Sequence, residues 1–167
     1  SLWLGDKLGD EGVKYLAESE SLTRLTQLSL YRNNIGNEGA IAIANSKNLA
    51  KLEELNLNWN YIEAEGLDAL AHSDTLKSLT QLTLTYNPLG LRGAEVIANA
   101  ENFKNVTLMD LYETEIGNLG GKALANSKNL PAMKTLVLIH NDITEGVEAL
   151  FKDNENFPNL ENIYFNK

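Results

Sequence analysis

Leucine recurs along this chain in a steady rhythm. Leu25, Leu28, Leu30, Asn33 and Ile35 are followed by Leu52, Leu55, Leu57, Asn60 and Ile62, and then by Leu79, Leu82, Leu84, Asn87 and Leu89. The set returns as Val106, Met109, Leu111, Thr114 and Ile116, then as Met133, Leu136, Leu138, Asn141 and Ile143, and starts once more at Leu160, Ile163 and Phe165. The first members are each 27 residues apart. A period of that length, held through a whole chain, is the signature of stacked supersecondary units that bury a core only against their neighbours.

Two kinds of periodicity alternate inside each unit. Around Leu28-Ser29-Leu30 apolar and polar residues alternate, which predicts a short strand with one buried face. The later segments Gly39–Ala44, Gly66–Ala71 and Gly120–Ala125 place apolar residues three and four apart, which predicts one amphipathic helix per repeat. Small Gly and Ala on the inner side let that helix approach closely. Asn45, His72, Asn99 and Asn126 follow the helical run, where a residue tolerant of left-handed geometry is expected to end it. The predicted core includes Leu28, Leu30, Leu55, Leu57, Leu82, Leu84, Leu136 and Leu138. At the N-terminus a one-residue deletion relative to the period puts Leu2 and Leu4 inside and Trp3 outside; the undeleted register would bury one indole and expose two leucines.

The units read L-x-x-L-x-L-x-x-N-x-I followed by a small-residue helix, and so the chain resembles the leucine-rich-repeat family. The Ile35–Ala44 segment, I-G-N-E-G-A-I-A-I-A, is similar to the ribonuclease-inhibitor-like subclass. The resemblance implies an α/β fold, a curved solenoid with a parallel sheet on its concave face and helices on its convex face. It also implies that Asn33, Asn60, Asn87 and Asn141 form a ladder of side chains bonded to the turning backbone, interrupted by Thr114. The expected organisation is one domain over residues 1–167: a degenerate repeat at 1–24, repeats starting at 25, 52, 79, 106 and 133, and a truncated one at 160–167. Without a starting Met or polar capping repeats, the sequence reads as a fragment of a longer chain. Similar repeats occur in effectors of intracellular bacterial pathogens, which would place the protein in the cytoplasm or, as an effector, in the cytoplasm of a host cell.

Charge narrows the partners. The chain carries 14 Lys+Arg against 23 Asp+Glu, a net charge of −9. A surface that acidic repels phosphate backbones, so neither nucleic acid nor a membrane is an expected partner. The absence of cysteine excludes disulfides, thiolate metal sites and cysteine nucleophiles. Asn105-Val106-Thr107 matches a glycosylation acceptor, but Val106 falls on a core position and no secretion signal is visible. The recurring Glu-Gly at 11–12, 38–39 and 65–66 sits at helix starts, where carboxylates favour the helix dipole better than they suggest a metal. No metal, cofactor or small-molecule substrate is expected.

Material for catalysis is thin. His140 and Glu113 fall at the same repeat position on neighbouring strands, about 4.8 Å apart, with Asp110 nearby, but no nucleophile accompanies them. The solvent side of the strands is richer. Tyr31, Trp59, Tyr86, Tyr112 and Ile139 lie along one edge, interspersed with Arg32, Glu54, Asn58, Asp110, Glu113 and His140. Solvent-facing strand positions need nothing bulky for folding, and aromatics and Arg are the types enriched at binding hot spots. Aromatics also favour strands and pair across them, but that does not account for Trp59 and Val137 alongside Leu108. The expectation is a non-enzymatic module that binds a partner protein with a basic patch through the concave face and inhibits an enzyme by covering its active site. The alternative is the substrate-recruiting arm of a larger enzyme such as a ubiquitin ligase.

Overall fold

In the computed structural model, residues 2–3 and 7–166 are described. Each repeat contributes one three-residue strand: β2 Gln27–Ser29, β3 Glu54–Asn56, β4 Gln81–Thr83, β5 Leu108–Asp110, β6 Thr135–Val137 and β7 Asn162–Tyr164, preceded by the two-residue β1 Leu2–Trp3. All seven lie in one sheet in chain order, every pair parallel. The register follows the period: Leu28 stands beside Leu55, Leu55 beside Leu82, Leu82 beside Met109. Leu2 pairs with Leu28 and Trp3 with Ser29, which is the deleted register; Leu4 lies outside the described residues.

The returning helices are α1 Gly9–Glu18, α2 Asn37–Asn45, α3 Ala64–Ala71, α4 Gly90–Asn99, α5 Gly117–Ala125 and the single turn α6 Glu145–Glu148. Strands pack about 4.8 Å apart and helices 8–10 Å apart, so stacking one of each per repeat bends the sheet to the inside of an arc. Small residues keep the helix spacing tight. A methyl at Gly66 would come within 3.0 Å of the Ala40 methyl, and one at Gly120 within 2.8 Å of the Ala94 methyl. Between the layers, the predicted leucines of β2, β3, β4 and β6 and their neighbours at positions 30, 57, 84 and 138 are at most 2% exposed.

The asparagine ladder holds the turns that leave the strands. The Asn60 carboxamide oxygen accepts the backbone N–H groups of Asn33 and Ile35, both at 3.0 Å, while its nitrogen donates to the carbonyls of Leu30 and Leu57. Asn141 does the same for Thr114 and Ile116, with donation to Leu111 and Leu138. Thr114 is a partial substitute. Its hydroxyl donates to Leu111 O at 2.9 Å and lies 3.1 Å from the Asn141 carboxamide oxygen, but it does not reach the preceding repeat. There the Leu89 N–H turns back to the Asn87 carbonyl at 2.8 Å.

The helix ends differ from expectation. Ser46 and Ala100, which follow α2 and α4, are extended, and His72 and Asn126 after α3 and α5 keep negative φ. None of Asn45, His72, Asn99 or Asn126 is left-handed. Polar side chains satisfy the last carbonyls instead: Asn99 donates to Glu95 O, Asn126 to Lys122 O, and the His72 ring nitrogen lies 3.0 Å from Asp68 O. A second ladder then ties repeat to repeat, with Ser46, Ser73 and Ser127 donating to the carbonyls of Ala17, Ala44 and Ala98.

Candidate functional site

The strand-leaving turn requires one left-handed residue immediately before each ladder position. Arg32, Trp59, Tyr86, Glu113 and His140 occupy it, with φ of 55°, 57°, 55°, 50° and 56°. For a residue with a Cβ this region costs roughly 1–2 kcal/mol, and only Gly, Asn and Asp enter it readily. Five long or aromatic side chains stand where glycine would be cheapest. The turn also lifts each of them clear of the sheet, toward the strand's C-terminal edge.

These side chains meet one another. The rings of Trp59 and Tyr86 are stacked, with centroids 3.9 Å apart and planes 30° from parallel. Tyr86 and Tyr112 follow at 5.4 Å, and Tyr112 meets His140 edge-on at 5.0 Å. The Arg32 guanidinium lies 5.6 Å from the Trp59 ring centroid, within cation–π range. A continuous row of π faces thus runs from Arg32 to His140 across five repeats. The Tyr86 hydroxyl stands near the Glu113 carboxylate and the Tyr112 hydroxyl, and these neighbours, Glu113 first, push its pKa well above the ordinary phenol range.

The remaining sequence candidates divide. Tyr31 and Trp59 are 42% and 44% exposed, while Tyr86, Tyr112 and Ile139 are half-buried. Asn58 and Asp110 are engaged with the backbone: the Asn58 carboxamide accepts the Thr85 N–H and the Asp110 carboxylate accepts the Tyr112 N–H. Glu54 lies lower on the sheet and accepts a long contact, 3.4 Å, from the Gln81 amide. His140 and Glu113 form no ion pair among the described residues. The His140 ring packs on Tyr112, the His140 backbone N–H donates to the Asn166 carboxamide oxygen, and Glu113 lies beside Tyr86. Among the described residues no group of three or more His, Asp or Glu is placed to hold a metal ion, and no helix is long and apolar enough to cross a membrane.

Sequence reasoning missed a set of caps between repeats. The Asp10 carboxylate accepts the N–H groups of Gly36 and Gly39 at the start of α2, and the Asn37 carboxamide accepts those of Glu63 and Gly66 at the start of α3. Asn118 does the same for Thr144. The signal was a column of Asp and Asn at one repeat position, broken by Ala64 and Leu91.

The Leucine Rich repeat family model matches residues 21–44, 48–71 and 75–98, three consecutive units in the register of the strands and helices described above. Residues 21–98 carry leucine-rich repeats. Among solved structures, leiomodin-1 actin-binding site 2 is similar to this chain with a TM-score of 0.64 at 17% identity, covering 86% of this chain and 83% of that one. An internalin from Listeria monocytogenes matches 93% of this chain and 54% of its own, at 16% identity and a TM-score of 0.49. The likeness to leiomodin-1 is one of fold. No curated protein matches the sequence.

Proposed function

We propose that this protein binds a partner protein across its concave face, with the row from Arg32 through Trp59, Tyr86 and Tyr112 to His140 as the energetic centre. The observation that carries this is the left-handed backbone under Arg32, Trp59, Tyr86, Glu113 and His140. Folding alone favours Gly or Asn there, and strain concentrates where a binding surface needs a side chain held in place. Solenoids of this kind use their extended concave surface for recognition, and leiomodin-1 has an actin-binding site of this fold. Glu54, Asp110 and Glu113 against Arg32 leave the face acidic, which suits a partner with a basic patch.

The mechanism we favour is occlusion. Seven strands at about 4.8 Å span roughly 29 Å, wide enough to seal an enzyme's catalytic cleft from its substrate. The test is affinity capture from lysate, comparing the native chain with Trp59→Ala and Tyr86→Ala. Each substitution should weaken capture at least tenfold, as hot-spot residues do, while Lys122→Ala on the helix side leaves it intact. Capture lost on the helix side and unaffected by the aromatic changes would place the interface on the wrong face.

A further inference from the structure

Beside the aromatic row, the floor of the concave face holds a cleft of about 230 Å3 walled by side chains of β2, β3 and β4: Gln27, Ser29, Glu54, Asn56, Gln81 and Thr83. The established small-molecule sites of proteins run from about 300 to 1,000 Å3, so this one is the size for a side chain and not for a whole ligand. Its chemistry is one-sided. Glu54 is the single charged group in the wall, it forms no ion pair among the described residues, and its carboxylate accepts only the weak Gln81 amide contact at 3.4 Å among them. The Thr83 hydroxyl oxygen, like that of Thr85 outside the cleft, is buried without a hydrogen-bond partner; shut away from solvent, it leaves recognition to the other groups of the wall. Around the carboxylate stand the carboxamides of Gln27, Asn56 and Gln81 and the Ser29 hydroxyl, and no cation of the wall competes for them; the Asn56 oxygen already accepts the Asn58 N–H.

The geometry points to a receptor for an arginine side chain of the partner protein, seated in the cleft with its guanidinium on the Glu54 carboxylate. A guanidinium presents five N–H donors in one plane and matches a carboxylate two-pronged, with donors left over for the carboxamide oxygens of the wall; an ammonium has three donors and no plane. This rests on the concave-face reading above and deepens it. Glu54 lies five residues before Trp59 along the same segment, at most about 17 Å at 3.3 Å per residue, so one partner segment can fill the cleft and reach the aromatic row together.

The test needs no partner and is independent of capture. Backbone amide NMR of the 167-residue chain, titrated with N-acetyl-arginine amide, should show saturable millimolar shifts confined to Ser29, Glu54, Asn56 and Thr83. N-acetyl-citrulline amide, the same shape without charge, should produce none, and the lysine analogue should bind more weakly. Glu54→Gln, whose own spectrum reports whether it folds, should weaken the arginine response about tenfold, and Lys122→Ala should leave it unchanged. Shifts absent from the cleft, spread evenly over the acidic surface, unaffected by Glu54→Gln, or equal for lysine or citrulline would each overturn the assignment. Because capture reads the aromatic row and these shifts read the cleft, either reading can fail while the other stands.

Discussion

Trp59 stacks on Tyr86 at 3.9 Å although both residues sit on backbone of positive φ, so the closest ring contact of the concave face is built on two left-handed turns. The strain and the stack act on stability in opposite directions and are of similar size. A stacked aromatic pair contributes roughly 0.5–1.5 kcal/mol beyond its burial, and a left-handed residue with a Cβ costs roughly 1–2 kcal/mol.

That balance separates two truncations of one residue. Trp59→Ala and Trp59→Gly both remove the ring, but only glycine relieves the turn. Chemical denaturation should find the glycine variant more stable than the alanine variant by about 1 kcal/mol, with both equally poor at capturing partner. Equal stability of the two would show that the turn is not strained.

Tyrosine titration reads the Glu113 contact directly. The Glu113 carboxylate beside the Tyr86 hydroxyl holds the phenol pKa above its ordinary value. The folded chain therefore keeps a proton that the unfolded chain gives up near pH 10. The stabilisation is complete below that pH and fades as pH rises past it. Of the six tyrosines, Tyr86 should ionise well after an unperturbed phenol, as followed by its ring-carbon NMR shift, and Glu113→Ala should bring it back toward 10. A Tyr86 that titrates identically in both proteins would exclude the contact.

Leu57, 0% exposed beneath β3, tests the core. Leu57→Ala should cost about 2–5 kcal/mol in a denaturation curve, the sum of lost transfer energy and the cavity left behind.

Thr114 tests the ladder. An asparagine at this position would offer the Asn87 and Leu89 N–H groups an acceptor and donate to the Leu84 carbonyl as well, which one hydroxyl does not do. With each net hydrogen bond contributing about 1 kcal/mol, Thr114→Asn should raise stability by roughly 1–2 kcal/mol in the same assay. No gain would mean that the bond from Leu89 N–H to the Asn87 carbonyl already satisfies the turn.

What the sequence revealed of this fold was what burial dictates. Leu28, Leu55, Leu82 and Leu136 were legible because a strand hides every second side chain, and a slip of one residue would expose them all. Even the shortened first repeat followed from weighing Leu2 and Leu4 against Trp3. The aromatic positions were legible as residues on a face, but their contacts were not: that Tyr112 meets His140 while Glu113 lies beside Tyr86 depends on the left-handed turn, and Trp, Tyr and Glu give no sign of it in a sequence. The helix ends were misjudged for a related reason. Asn is at home in left-handed backbone, but it is equally able to reach back four residues to a carbonyl, as Asn99 and Asn126 do. The caps from Asp10, Asn37 and Asn118 were hidden because donor and acceptor lie a full repeat apart and Ala64 and Leu91 interrupt the column.

The hydroxyl at Thr114 also has a mechanical meaning. A solenoid held repeat to repeat transmits a pull along its axis through every seam in series, and a series fails at its weakest member. At the seam between the Leu82 and Met109 strands the asparagine rail loses its rung, because the Thr114 hydroxyl stays on Leu111 and Asn141, and Ala100 leaves the serine rail without its rung one seam earlier, between α3 and α4. The two defects fall on neighbouring joints. Stretched from its ends, the coil has a fuse near its middle, and it would part there into two shorter stacks before either of them unravels.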